Sequence, residues 1–342
     1  MERTAIGVIG CGFFAQNHLH AWTDLRSKGV EVVAVCDVDE AKARGTADKF
    51  GVKHWYRDAE TMLREHKLDL VDIITRVETH RDVVGLVVRR RIPAIVQKPF
   101  GLDLAACQAM ADDAQKAGVF LAVHENFRFQ VPMRKIQELL RSGAIGTPSW
   151  GRVSFRTGYD IYKGQPYLAK EERFALMDLG VHVFDLARVL LGEVEHISAE
   201  LQRRNPSVAG EDTATMLLKH RSGAVSIVEC TYESRRVPDV FPETLLEIEG
   251  PKGAIILKPG SVLDITIEGK TKTHDADAPV LPWAERPWHI IQESVLATCE
   301  HILESLRVGR PAGTSAQDNV RTFTLVEAAY EAASAGRSVR VT

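Results

Sequence analysis

In the stretch TAIGVIGCGFFAQNHLHAW, Thr4 to Trp22, a short apolar run leads straight into closely spaced glycines. Ile6, Val8 and Ile9 read as a buried strand, and Gln16 to Leu25 can run on as a helix. Between them Gly10, Cys11, Gly12, Phe13, Phe14 and Ala15 spell GxGxxA. A dinucleotide site needs this order: one glycine for the turn, one for the approach of a pyrophosphate, and a small third residue for helix packing. The helix N-terminus then offers its N–H groups to the phosphates. Glycine also serves tight turns for steric reasons alone, so the motif needs a second signal. Asp37 supplies it. It closes the apolar run VEVVAVCD, Val30 to Asp37, where an acid that binds the adenosine ribose hydroxyls is expected. A carboxylate there repels a 2′-phosphate, which favours NAD over NADP, although Lys42 and Arg44 nearby pull the other way.

The chain has 342 residues, enough for two domains with cores of their own, and a formal net charge of -3. Its Lys and Arg are dispersed, with Arg89 to Arg91 the densest run, so no footprint for nucleic acid or an anionic membrane surface is seen. Neither a signal-peptide pattern nor an apolar run of membrane-spanning length is visible, and a cytoplasmic protein is expected. Five cysteines, Cys11, Cys36, Cys107, Cys230 and Cys299, lie in apolar or helical contexts without CxxC spacing. They read as buried thiols of a reducing compartment, with no metal site expected.

Up to about Val123, strand-like and helical runs alternate: Leu70 to Thr75, a helix near Val83 to Arg90, Ile95 to Gln97, a helix over Leu104 to Lys116, and Val119 to Val123. That is the pattern of a doubly wound parallel sheet. The second half changes character. DTATMLLKHRSGAVSIVECTY, Asp212 to Tyr232, reads as two strands around an Arg-Ser-Gly turn, with further strands in Glu243 to Glu249, Gly253 to Leu257 and Val262 to Glu268. An α/β fold follows: a Rossmann domain over 1–123, and an α/β domain over 124–342 with a large open, mainly antiparallel sheet, whose last helix can pack back on the first domain. His274 to His289 reads as a loop. Its Trp283 and Trp288 either pack it onto the body or form a lid or pocket wall. Helices close the chain at Ile290 to Leu306 and Ala316 to Ala335.

Ligands of doubly wound sheets bind beyond the carboxyl ends of strands, which draws notice to Lys98 in VQKPF and to HENFRFQ, His124 to Gln130. Lys98 is equally readable as a surface charge. Asn126 and Arg128 share a side if their segment is extended and could donate to substrate hydroxyls, or they could belong to a polar crossover that satisfies its own backbone. The densest constellation is MDLGVHVFDLARVLLG, Met177 to Gly192, a mostly apolar helix. Asp178 and His182 stand i, i+4 on one face and Asp185 follows within a turn. A histidine paired with a carboxylate can act as a general base; a capping aspartate and a core histidine would use the same residues.

GxGxxA at Gly10, Asp37, QKP at Gln97, NFRF at Asn126 and DLGVHVFD at Asp178 recur here in order, and the chain resembles, over essentially its full length, the Gfo/Idh/MocA family of NAD(P)-dependent oxidoreductases. The resemblance implies sugar-like substrates and an open sheet that mediates dimer or tetramer contacts. The lysine of the family's EKP motif falls on Lys98, and the aspartate and histidine of DxGxH fall on Asp178 and His182, which together would form the catalytic group. Gly10, Gly12, Phe13, Phe14, Ala15 and Asp37 would hold the cofactor, with Thr75, His80, Gln97, Lys98 and Asn126 towards its nicotinamide. Asn126, Arg128, Tyr159, Asp160 and Gln165, beside Lys98, Asp178 and His182, are the substrate contacts expected, three of them from the loop RTGYDIYKGQPY.

Two departures are visible. Gln97 stands where the family often has glutamate, and TRVETH, Thr75 to His80, lacks the prolines of many relatives. The QKPF and HENFRFQ variants resemble a branch that oxidises a branched aldose to its lactone; oxidation of myo-inositol or another polyol is the alternative. A regulator that binds NAD and a sugar without turnover, and the branch of NAD-dependent glycosidases, are rivals of other kinds.

Overall fold

The computed structural model describes residues 3–341, which divide into two compact units, 3–125 with Val295–Arg321, and Asn126–Ser294 with 322–341. The first unit holds β1 (Thr4–Ile9), α1 (Ala15–Asp24), β2 (Val30–Cys36), α2 (Glu40–Phe50), β3 (His54–Tyr56), α3 (Ala59–Glu65), β4 (Leu70–Ile73), α4 (His80–Arg89), β5 (Ala94–Gln97), α5 (Leu104–Ala117) and β6 (Leu121–His124). Its strands run in the order β3-β2-β1-β4-β5-β6, all parallel, the Rossmann arrangement with its switch point between β1 and β4. Every residue of β4, β5 and β6 is buried, as expected of strands covered on both faces. Local chemistry sets the helix ends: Asp39, Asp58 and Asp103 cap α2, α3 and α5 with their side chains.

Ile6, Val8, Leu19 and Trp22 form the centre of this unit's core, joined there by Val295, Cys299, Ile302 and Leu303. At Gly10 the backbone takes φ +100°, and a Cβ would lie 2.4 Å from the carbonyl oxygen of Ile74, so only glycine fits the turn.

The second unit contains α6 (Val131–Arg141), β7 (Trp150–Arg156), α7 (Val181–Leu191), β8 (Val194–Gln202), β9 (Thr213–His220), β10 (Val225–Thr231), β11 (Leu245–Gly250), β12 (Gly253–Lys258), β13 (Val262–Ile267) and β14 (Lys270–Asp275). The chain passes back to the first unit within α8 (His289–Arg307), returns within α9 (Ala316–Ala335), and ends in β15 (Val339–Arg340). The nine strands order as β14-β13-β12-β11-β7-β10-β9-β8-β15, with β7 and β10 the single parallel pair. Along β9 buried and exposed residues alternate, which gives the sheet one face packed under α7 and one open face. At the packed face α7 comes so close to β7 that a Cβ on Gly151 would lie 2.7 Å from Leu191.

Two expectations need correction. The loop expected from His274 begins as the end of strand β14, which has no apolar residue to announce it. Met177 to Gly192 is not one regular helix: Leu176–Gly180 form a π turn that leads into α7.

Candidate active site

In the first unit the cofactor motif sits at the carboxyl ends of β1 and β2. Asp37 follows β2 directly, and its two carboxylate oxygens accept the N–H of Cys11 at 2.8 Å and of Asp39 at 2.9 Å. This holds the acid against the glycine turn, while each oxygen retains a lone pair for a ribose hydroxyl. Gly12 faces open space: a Cβ there would meet no heavy atom within 4 Å. Ala15 is buried at the start of α1, whose N-terminus carries no side-chain cap, and Phe13 is exposed beside it. A close backbone, free space beside it and an uncapped helix start fit a dinucleotide pyrophosphate.

Thr75 and His80 are linked, since His80 Nε2 lies 3.2 Å from the Thr75 carbonyl and His80 Nδ1 lies 3.2 Å from that of Phe100. Burial pushes the His80 pKa down. Gln97 is the last residue of β5, and its side-chain oxygen accepts the backbone N–H of Lys98 at 2.6 Å. Lys98 itself is half-buried just beyond the strand end.

In the second unit Asp178 lies on the π turn and His182 in the first turn of α7. An added residue in a turn of this type redirects the side chains that follow, and such turns are frequent at functional sites. His182 is buried and stacks face to face on Phe127, with ring centroids 3.8 Å apart and planes 4° from parallel. Asp178 accepts a 2.5 Å hydrogen bond from the buried hydroxyl of Tyr232. Burial, then the Asp178 charge, raises the Tyr232 pKa well above the usual phenol range, so the hydroxyl stays a donor. Tyr232 stacks in turn on Phe174, centroids 5.3 Å apart, which fixes the ring that anchors the carboxylate. Phe127 and Tyr232 were both missed in the sequence; their roles come from contacts distant along the chain.

The other expected substrate contacts each have partners within the protein. Phe127–Phe129 form a 3-10 turn, so the extended segment expected of Asn126 and Arg128 is not present. Asn126 donates to Ser294 Oγ at 2.6 Å, and Arg128 grips the buried Asp185, Nε to Oδ2 at 2.6 Å and Nη2 to Oδ1. Asp185 therefore serves Arg128, and Thr322 Oγ1, 3.1 Å away, also donates to it. Tyr159 stacks on Phe241 at 4.0 Å, and Trp288 meets both rings edge-on, which packs its loop to the sheet unit. Asp160 pairs with Lys163 at 3.2 Å, and Gln165 accepts from the Tyr167 hydroxyl at 2.7 Å.

The parallel sheet, its glycine turn and Asp37 define a dinucleotide-binding protein. The model of the oxidoreductase family with an NAD-binding Rossmann fold matches residues 4–125, and that of the GFO/IDH/MocA C-terminal domain matches 133–256. A D-apiose dehydrogenase of Paraburkholderia graminis is 47% identical, covering 100% of this chain and 90% of its own length. One from Rhizobium rhizogenes is 46% identical over 98% of this chain and 96% of its own. Among solved structures, an oxidoreductase from Agrobacterium radiobacter in complex with NAD+, L-tartaric acid and magnesium superposes with a TM-score of 0.97 at 45% identity, covering 99% of both chains. The chain belongs to the Gfo/Idh/MocA family. It is an NAD-dependent oxidoreductase of the kind that acts on CH–OH groups. Among the described residues no helix is long and apolar enough to cross a membrane.

Proposed function

We propose that the protein oxidises a hydroxyl of a sugar, with D-apiose and its anomeric carbon as the first candidate and the lactone as product. What carries this reading is the full-length similarity to two D-apiose dehydrogenases in a chain that keeps Lys98, Asp178 and His182. Bound NAD supplies the hydride acceptor. Gly10, Gly12, Phe13, Phe14, Ala15 and Asp37 would hold its phosphates and adenosine ribose, and Thr75, His80, Gln97 and Asn126 would serve its nicotinamide side. His182 accepts the hydroxyl proton as hydride leaves the same carbon. Lys98 holds the substrate oxygen and stabilises the negative charge that grows on it. Asp178, anchored by Tyr232, orients His182. Tyr159, Asp160, Gln165 and Asn126 contact the remaining hydroxyls, whereas Arg128, gripped by Asp185, positions its segment.

A panel of purified sugars and polyols, followed by NADH absorbance, tests the reading. D-apiose is expected to yield free NADH and myo-inositol far less. NADH from myo-inositol alone would move the substrate to the polyols. Sugar binding without any NADH would make the protein a regulator, and sugar cleavage without net NADH a glycosidase.

Titration of both cofactors into the protein is expected to give a lower Kd for NAD than for NADP, because Asp37 repels a 2′-phosphate. Asp37→Ala should narrow the gap. Equal affinities in the wild type would mean that Lys42 or Arg44 overrides the acid.

The open face of the nine-stranded sheet exposes Leu217 and Ile256, and we assign it to a homodimer or homotetramer contact. Light scattering at micromolar concentration should show a mass of at least twice the 37.9 kDa chain. A monomer would remove the assignment.

A further inference from the structure

Beneath Lys98, inside the first unit, a buried polar chain runs from Gln97 to Trp22. Trp22 Nε1 donates to Asp72 Oδ2 at 2.7 Å, and His18 Nδ1 lies 2.8 Å from the same oxygen. His18 Nε2 lies 3.1 Å from Gln97 Nε2, and Gln97 Oε1 is 2.6 Å from the Lys98 backbone nitrogen. His18 and Asp72 are fully buried, Trp22 likewise, and Gln97 nearly so.

Both ends of the chain are groups that can only donate: the indole N–H of Trp22 and the amide N–H of Lys98. The Lys98 end requires the oxygen of Gln97 on its side, which turns the Gln97 NH₂ towards His18. His18 Nε2 must then accept, so the ring hydrogen sits on Nδ1 and points to Asp72. One direction of donation satisfies every link, and reversing the amide would set two donors against each other at Lys98.

We propose that Gln97 is a positioning residue for Lys98, and that His18, held in its Nδ1–H form by Asp72, specifies an amide at position 97. The proposal rests on the catalytic reading of Lys98. A carboxylate at 97 is acceptor-only; it could bond both neighbours only if His18 carried hydrogen on both ring nitrogens, which would set a charged ring against that of His124, whose centroid is 4.0 Å away. The glutamine that departs from the family's commoner glutamate thereby matches a neutral ring below it. His18, His124 and Cys299 also bring ligand atoms within 4.8 Å of one another, but both ring nitrogens of His18 already have partners, Asp72 and Gln97.

Long-range nitrogen–proton NMR of the full chain with labelled histidine reads the ring directly, with His18 assigned through its contact to the Trp22 indole N–H. The wild type is expected to show Nδ1 protonated and Nε2 bare, and Gln97→Glu to show both protonated. Steady-state turnover gives the second readout. Gln97→Met keeps the volume but leaves the Lys98 N–H without its acceptor, and should lower kcat roughly tenfold or more, since small misplacements of a reacting group are costly. Gln97→Glu restores an acceptor and should recover part of that loss. A wild-type ring protonated on Nε2, a stoichiometric metal in the purified protein, or full kcat in a folded Gln97→Met variant would each overturn the proposal. Absence of any wild-type turnover with sugars would instead fall on the proposed function and leave the ring measurement intact.

Discussion

His182→Asn is expected to keep the fold and NAD binding yet lower kcat by roughly 10²-fold or more, the usual scale for losing general acid-base help. The buried ring stacks on Phe127, so a purely structural histidine remains the competing account. The two accounts part at the readout. A structural histidine, once replaced, lowers the thermal midpoint while the surviving folded protein turns over normally; a base leaves turnover depressed in protein that is fully folded. Lys98→Met should also depress kcat, and the double variant should lose less than the product of the two single losses if both groups act on one oxygen. NADH production and thermal melting for the three variants decide the matter. A stable His182→Asn protein with full activity would end the mechanism.

How far such residues could be found in the sequence depended on the range of the interactions that place them. The β1 strand, the glycine turn, α1 and Asp37 were legible because each is set by local backbone and by apolar runs of strand or helix period. β14 was not: all six of its residues, Lys270–Asp275, are exposed, so no alternation betrays it and only its pairing with β13 makes it a strand. The same holds at the site. DLGVHVFD pointed to Asp178 and His182, but the π turn that carries Asp178 leaves no compositional trace, and Tyr232 reaches Asp178 across 54 residues of sequence. Asn126 and Arg128 illustrate a different limit. Their spacing does not tell an extended pair from a turn, and only the structure shows Phe127 and Arg128 buried within a 3-10 turn, with the guanidinium on an aspartate 57 residues away.

That last pair carries the second large effect expected. Asp185 is fully buried on α7 and Arg128 nearly so, with two hydrogen bonds between guanidinium and carboxylate. Thr322 on α9 donates to the same carboxylate and accepts from Arg188 at 2.7 Å, so the 3-10 turn that carries Phe127, the helix that carries His182, and α9 meet at one group. Removing one partner of a buried pair strands the other charge, at a cost of about 3–5 kcal/mol. Asp185→Ala should therefore lower the thermal midpoint by roughly 6–20 °C, at about 2–4 °C per kcal/mol for a body of this size. Apolar replacement of both partners removes the stranded charge. Arg128→Met combined with Asp185→Leu should thus recover much of the lost midpoint, while the single variants do not. Such a recovery would also bear on activity: if the pair only positions the Phe127 segment, the double variant should regain turnover along with stability. A single Asp185→Ala variant that melts like the wild type would show that the pair does not hold these three elements together.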